Sequence, residues 1–205
     1  RRGLVRARSE HQQPQGWRRK NLLTLGLASA ALAAGIPTLV IDLDPHADAS
    51  TGLGVRANGK QPIGQMLKNA RRARLQDQVV ASAWQSKAAE KKSRTRIPVL
   101  DVAVGDAFTG IYDRPDLRTR DLRRLSQLLS RTSGYQLVLI DCPPSLNGLT
   151  RMAWSASDQL LLVAEPSLFS VAGTERTQRA LELFRREFAP SLGPVHVVAN
   201  RVRKD

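Results

Sequence analysis

Short apolar runs alternate along this chain with longer segments of helical spacing, and most of the apolar runs end in a polar or acidic residue. Leu23 to Ala34 is rich in leucine and alanine, both good helix formers, and Gly35-Ile36-Pro37 ends it as a C-cap and breaker would. Thr38-Leu39-Val40-Ile41 follows as a short buried strand that runs into Asp42-Leu43-Asp44-Pro45. Asn58 to Pro98 is polar and basic, with a helix predicted around Ile63 to Leu75 and a strand from Ile97 to Val104. Leu117, Leu122, Leu125, Leu128 and Leu129 recur near helical spacing and predict an amphipathic helix from Leu117 to Ser133, closed by Gly134. Gln136 to Ile140 is a continuous apolar run suited to a strand covered on both faces, and it ends in Asp141. Gln159 to Ala164 and Pro194 to Ala199 are two more strands, separated by a helix from Thr174 to Phe188.

Strands separated by helices predict an α/β fold with a doubly wound, mainly parallel sheet. Ligands of such sheets sit at the carboxyl ends of the strands. Here those ends carry Asp44, Asp141, Glu165-Pro166 and Asn200. A carboxylate at the tip of a buried strand, beside phosphates, can hold Mg²⁺ through water, and a second one can orient or deprotonate an attacking water. Taken singly, either aspartate reads as a turn former or a helix N-cap. Taken together, with Cys142-Pro143-Pro144 after Asp141, they read as a nucleotide site.

The segments Leu39 to Ser50 and Leu137 to Leu146 closely resemble the ParA/Soj/MinD family of deviant Walker P-loop ATPases, and the resemblance runs from about Thr24 to Arg201. It includes Leu25-Gly26-Leu27-Ala28-Ser29-Ala30 and Ser50-Thr51-Gly52-Leu53-Gly54. The family pattern at the second strand is Asp-x-Asp-Pro-Gln, and His46 stands here in place of the glutamine. The resemblance implies that Asp44 is the hydrolytic aspartate and Asp42 a supporting carboxylate near the metal. It implies that Asp141 is the Walker B aspartate holding Mg²⁺ through water. Asn200 then matches a position that contacts adenine, and Pro166 falls in another nucleotide-side loop. ATP and Mg²⁺ are the implied cofactors. The implied partners are non-specific DNA, a second copy of the chain when ATP is bound, and a centromere-binding ParB-like protein that stimulates hydrolysis.

One part of the family pattern is missing. Members begin with a strand and Lys-Gly-Gly-Val-Gly-Lys-Thr, whose backbone amides and lysines cradle the phosphates. This chain reads Gln15-Gly16-Trp17-Arg18-Arg19-Lys20-Asn21 there, with one glycine and a bulky tryptophan where backbone must approach phosphate. Reverse-translated and read one base later, the same segment permits Lys, Gly, Gly, Val, Gly, Lys and Thr in order. Residues 1–22 are therefore expected to be translated out of frame, through a sequencing error, a lesion in the gene or a misassigned start. They form an aberrant basic segment, with Arg1 to Lys20 expected to be poorly ordered and the first strand and P-loop disrupted. Residues 23–205 form the ATPase domain, expected to be cut short after Asn200.

Composition modifies this picture at two points. The 205 residues carry a net charge of +14, which implies affinity for a polyanion, and +6 of it falls in the first twenty residues. The remaining +8 still suits a DNA-associated protein. Arg71, Arg72 and Arg74, with Lys91, Lys92, Arg94 and Arg96, are candidate phosphate contacts or a solvated loop. The family's habit of contacting DNA from its C-terminal portion nominates Arg176, Arg179, Arg185, Arg186, Arg201 and Arg203. A single cysteine, Cys142, excludes an intramolecular disulfide framework, and no apolar stretch reaches the ~18 residues of a membrane span, so a cytoplasmic, nucleoid-associated protein is expected.

Three functions compete. The first is a DNA-partitioning ATPase of chromosomes or plasmids. The second is a nucleotide-independent remnant that folds without using ATP, because the phosphate loop is absent. The third is a MinD-like positioning ATPase, which would need a C-terminal amphipathic helix that the sequence does not display.

Overall fold

The apolar runs are short because each crosses the sheet only once. The computed structural model describes residues 3–8, 17–85, 99–164 and 168–199. Its strands are β1 (Gly3–Arg8), β2 (Thr38–Asp42), β3 (Val80–Ala81), β4 (Leu100–Ala103), β5 (Leu137–Asp141), β6 (Gln159–Ala164) and β7 (Val195–Ala199). They form one seven-stranded sheet in the order β3-β4-β2-β5-β1-β6-β7. Every pairing is parallel except β3 with β4. The expected α/β, mainly parallel architecture is therefore present.

The helices are α1 (Trp17–Ala34), α2 (Asp48–Gly52), α3 (Ile63–Lys68), α4 (Leu75–Gln78), α5 (Thr119–Leu122), α6 (Arg124–Leu129), α7 (Gly148–Ser155) and α8 (Leu168–Phe188), with a 3₁₀ turn at Ala107–Tyr112. Residues alternate across β2: Val40 packs with Ala28 and Leu32 of α1, whereas Leu39 and Ile41 join the cluster containing α3, α6, α7 and α8. Leu39, Val40 and Ile41 are all fully buried, which is why this strand reads as an unbroken apolar run rather than an alternating one. Trp154 anchors the larger cluster, with its ring edge-on to Phe184 at 5.4 Å between centroids.

Three expectations change. Gly3–Arg8, placed by sequence in a poorly ordered segment, forms β1 between β5 and β6, and Trp17 to Lys20 are the first turn of α1. Without β1, the facing edges of β5 and β6 would have no strand to pair with in mid-sheet, a costly gap that these six residues close. The helix expected over Ile63 to Leu75 stops at Lys68 and resumes as α4. Arg124 donates to the carbonyls of Leu67 and Lys68, and Arg131 to those of Ala70 and Arg71. Tertiary donors thus serve the carbonyls that a continuing helix would have used. The helix expected over Leu117 to Ser133 is likewise split, with Arg123 between α5 and α6.

The connection from β1 to β2 passes over β5, and that from β5 to β6 passes over β1 in the opposite direction. The carboxyl ends of β1 and β5 therefore border the point where the winding reverses, the crevice in which such sheets bind ligands.

Candidate functional site

Parallel pairing of β2 with β5 sets Asp42 directly opposite Asp141 at the carboxyl edge. Both strands end there because an acidic tip follows a buried apolar run, and the register leaves the two carboxylates no choice but adjacency. Asp42, Asp44 and Asp141 are 0%, 2% and 2% exposed, so three acidic side chains occupy one dry corner.

Asp42 is gripped from the next loop. The Ser50 backbone N–H and hydroxyl both donate to its Oδ2 at 2.7 Å, and the Gly105 N–H donates to the same hydroxyl at 3.0 Å. A Cβ on Gly105 would lie 2.9 Å from the Asp42 carboxyl carbon, so only glycine lets the end of β4 approach this closely. The Asp44 N–H donates to the other oxygen of Asp42 at 3.2 Å. Asp44 in turn accepts from the His46 N–H at 3.0 Å and lies 2.8 Å from its Nδ1. This turn is closed by the Ala47 N–H on the Asp44 carbonyl, and it holds Ala47 at φ 52°, in the left-handed region that non-glycine residues seldom adopt. Strain of this kind gathers in segments that switch conformation.

Asp141 accepts a 2.7 Å hydrogen bond from the Thr24 hydroxyl, which reaches across from α1. Sequence reasoning missed Thr24. The available signal was a threonine on the apolar side of the helix that follows the phosphate-loop position. Sequence reasoning also treated His46 as a simple glutamine replacement, whereas its ring and its N–H both contact Asp44. Further along the loop after β5, the Ser145 hydroxyl donates to both oxygens of Asp113, at 2.8 and 2.9 Å.

Burial, and next the charge of Asp141, push the Asp42 carboxyl up to about 7, while the hydrogen bonds from Ser50 oppose the rise. A carboxyl whose folded pKa exceeds its unfolded value of 3.8 stabilises the fold fully below the unfolded value. That contribution, on the order of a few kcal/mol, is lost as pH climbs towards and through 7. Urea unfolding between pH 4 and 8, without divalent cations, should show Asp42→Asn losing less stability than the parent chain over that window. Parallel pH profiles for the two proteins would contradict the assignment.

Asp141, opposite Asp42 on the neighbouring strand, suits a divalent cation held through water. Direct ligation does not fit, since among the described residues no three His, Cys, Asp or Glu side chains are grouped to hold a metal. The phosphate side does not fit. The eight residues Ser9 to Gly16 join the carboxyl end of β1 to α1, and α1 begins at Trp17, inside the stretch where the family has its glycine-rich loop.

The other predicted residues are dispersed or lie outside the described residues. Pro166, Asn200, Arg201 and Arg203, and the cluster Lys91 to Arg96, lie outside the described residues. Arg176 and Arg179 are exposed on α8, and Arg179 pairs with Glu175 one turn earlier. Among the described residues no helix is long and apolar enough to cross a membrane.

A family model described as an AAA domain matches residues 15–193. The chromosome partitioning protein ParA of Caulobacter vibrioides is 34% identical over 177 residues, covering 84% of this chain and 61% of that protein. The chain thus spans less than two thirds of the length of this curated relative. A cobyrinic acid a,c-diamide synthase from Mycobacterium smegmatis, solved with bound ADP and magnesium, superposes with a TM-score of 0.77 at 17% identity, covering 97% of this chain and 73% of that one. A plasmid partition protein from Borrelia burgdorferi superposes with a TM-score of 0.72 at 15% identity, covering 100% of this chain and 80% of that one.

Proposed function

The chain belongs to the ParA/Soj/MinD family of P-loop ATPases, and from that premise we propose that it is a partitioning ATPase of chromosomes or plasmids whose phosphate loop has been lost from the polypeptide as it stands. The observation that carries this reading is the meeting of Asp42, Asp44 and Asp141 at adjacent strand tips, buried together at the sheet's winding reversal.

Each carboxylate has a separate task. Asp141, oriented by Thr24, would hold Mg²⁺ through water, and Mg²⁺ bound there would supply positive charge to the phosphates. Asp44 sits on the strained turn and orients or deprotonates the attacking water. Asp42 carries no proton-transfer role. Through Ser50 and Gly105 it ties the tip of β2 to α2 and the end of β4, so the turn bearing Asp44 keeps its place. In the working cycle two ATP-bound copies associate and hold DNA without sequence preference. A centromere-binding ParB-like partner then triggers hydrolysis and release, in the cytoplasm at the nucleoid. Pro166 and Asn200 serve the nucleotide, and Arg176, Arg179, Arg201 and Arg203 the DNA.

The absent glycine loop favours a second reading, in which this polypeptide is a folded remnant independent of nucleotide. The two are separated by mass photometry on the chain with Lys-Gly-Gly-Val-Gly-Lys-Thr restored at residues 15–21. With Mg²⁺ and a non-hydrolysable ATP analogue, that protein should shift from monomer to dimer. A restored protein that stays monomeric at saturating nucleotide would leave the remnant reading standing.

A further inference from the structure

At the far end of α3 the chain assembles positive charge with little to balance it. α3 starts at the carboxyl edge of the sheet, where the Ile63 N–H donates to the Val104 carbonyl just past β4. Beyond its last turn, Gln76 donates to the carbonyl of Ser133, which lies before the start of β5, so this end faces the opposite edge from the three aspartates. An open hollow of about 480 Å³ lies there, lined by Lys68, Arg71, Arg72, Arg120 and Arg124 together with neutral Asn69 and Gln127.

The cations divide into two sets. Arg124 is committed: it pairs with Asp121 at 2.7 Å, donates to the Leu67 and Lys68 carbonyls, and lies over the Tyr112 ring. Arg131, just outside the hollow, is committed to the carbonyls of Ala70 and Arg71. These two clamp the turn that carries Lys68, Arg71 and Arg72. The side chains of Lys68, Arg71, Arg72 and Arg120 are exposed, and among the described residues none is paired with a carboxylate. Asp121, next to Arg120 in the chain, is already taken by Arg124. Four exposed cations on one rim repel one another, and among the described residues no carboxylate pairs with them to relieve it.

We propose that this hollow is a docking site for the phosphodiester backbone of nucleic acid, a contact surface separate from the arginines of α8. It rests on the DNA reading above and extends it to a second face of the molecule. Guanidinium forks match phosphate oxygens two at a time, and an exposed, arginine-rich rim without apolar anchors suits a polyanion backbone better than a folded protein partner, which would need a buried apolar centre.

The test is a salt titration of the full 205-residue chain with a labelled random-sequence duplex. Arg71→Ala/Arg72→Ala should weaken binding at 50 mM salt by about tenfold or more and flatten the log–log salt dependence by about two, because each lost phosphate contact removes ~0.9 from the slope. Arg71→Lys/Arg72→Lys should keep most of that slope, and far-ultraviolet circular dichroism should show the alanine variant folded. If the parent chain binds duplex and the alanine pair leaves affinity and slope unchanged, the hollow is not the contact, while the DNA reading survives. If the parent chain does not bind duplex at low salt, both fall. Polyglutamate of equal charge competing as well as the duplex would assign the hollow to an acidic polypeptide and overturn the proposal.

Discussion

Replacing Gln15–Asn21 by Lys-Gly-Gly-Val-Gly-Lys-Thr should tighten Mg-ATP binding at least 100-fold over the chain as it stands. Three glycines would let the backbone wrap the phosphates with its N–H groups, which no path through Trp17 allows. Lys20 is common to both sequences, and the lysine added at residue 15 contributes a charge-assisted hydrogen bond worth about 1.5–3 kcal/mol. That contact, together with the backbone N–H donors that the glycines bring to the phosphates, reaches the ~2.7 kcal/mol that a hundredfold change requires. The restored threonine would also offer a hydroxyl to the metal from residue 21, while Asp141 is already held by Thr24. Isothermal titration of both proteins with Mg-ATP measures the difference. Equal dissociation constants would mean that the three buried carboxylates do not belong to a nucleotide site, and the functional reading would go with them.

In the restored protein, Asp44→Ala should slow ATP hydrolysis by about 10²- to 10⁴-fold, the usual contribution of a positioned acid–base group. Nucleotide affinity should change little, because Asp44 is assigned to the attacking water and not to the phosphates. The contrast with its neighbours makes the test specific. Asp141→Ala should raise the Mg²⁺ concentration needed for binding. Asp42→Ala should lower stability first, since it leaves the Ser50 N–H and hydroxyl facing an empty space at the centre of the sheet's edge. Single-turnover phosphate release, measured beside equilibrium binding, separates these patterns. If Asp44→Ala hydrolyses ATP at the parent rate, the water-activating group lies elsewhere, and His46 beside it becomes the residue to examine.

Much of this site was readable from the chain alone because its geometry follows from local rules. The apolar runs at Leu39 to Ile41 and Leu137 to Ile140 could only be buried strands, and acidic residues at their ends could only stand on one edge once the strands ran parallel. Gln159 to Ala164 emerges as β6 with the boundaries expected. Other features were hidden because they depend on distant partners. The short strand Val80–Ala81 is defined by its antiparallel pairing with β4, and its two residues carry no periodicity of their own. α3 ends at Lys68 without a glycine or proline, since the arginines that take its last carbonyls lie more than fifty residues away. Gly3–Arg8 lies within the stretch read as out of frame, and only the gap between β5 and β6 gives it a reason to be a strand.

The sequence by itself determined that the chain is a parallel α/β sheet with aspartates at two strand tips, and that its phosphate loop lacks the glycines it needs. Periodicity, breakers and backbone sterics act within a few residues, so composition along the chain suffices to reveal them. Tertiary structure alone decided that Thr24 orients Asp141, that Ser50 and Gly105 hold Asp42, and that Lys68, Arg71, Arg72 and Arg120 meet around one hollow beyond α3. Those contacts join residues far apart in the chain, and their energies exist only once register and packing have brought the groups within hydrogen-bonding or Coulomb range.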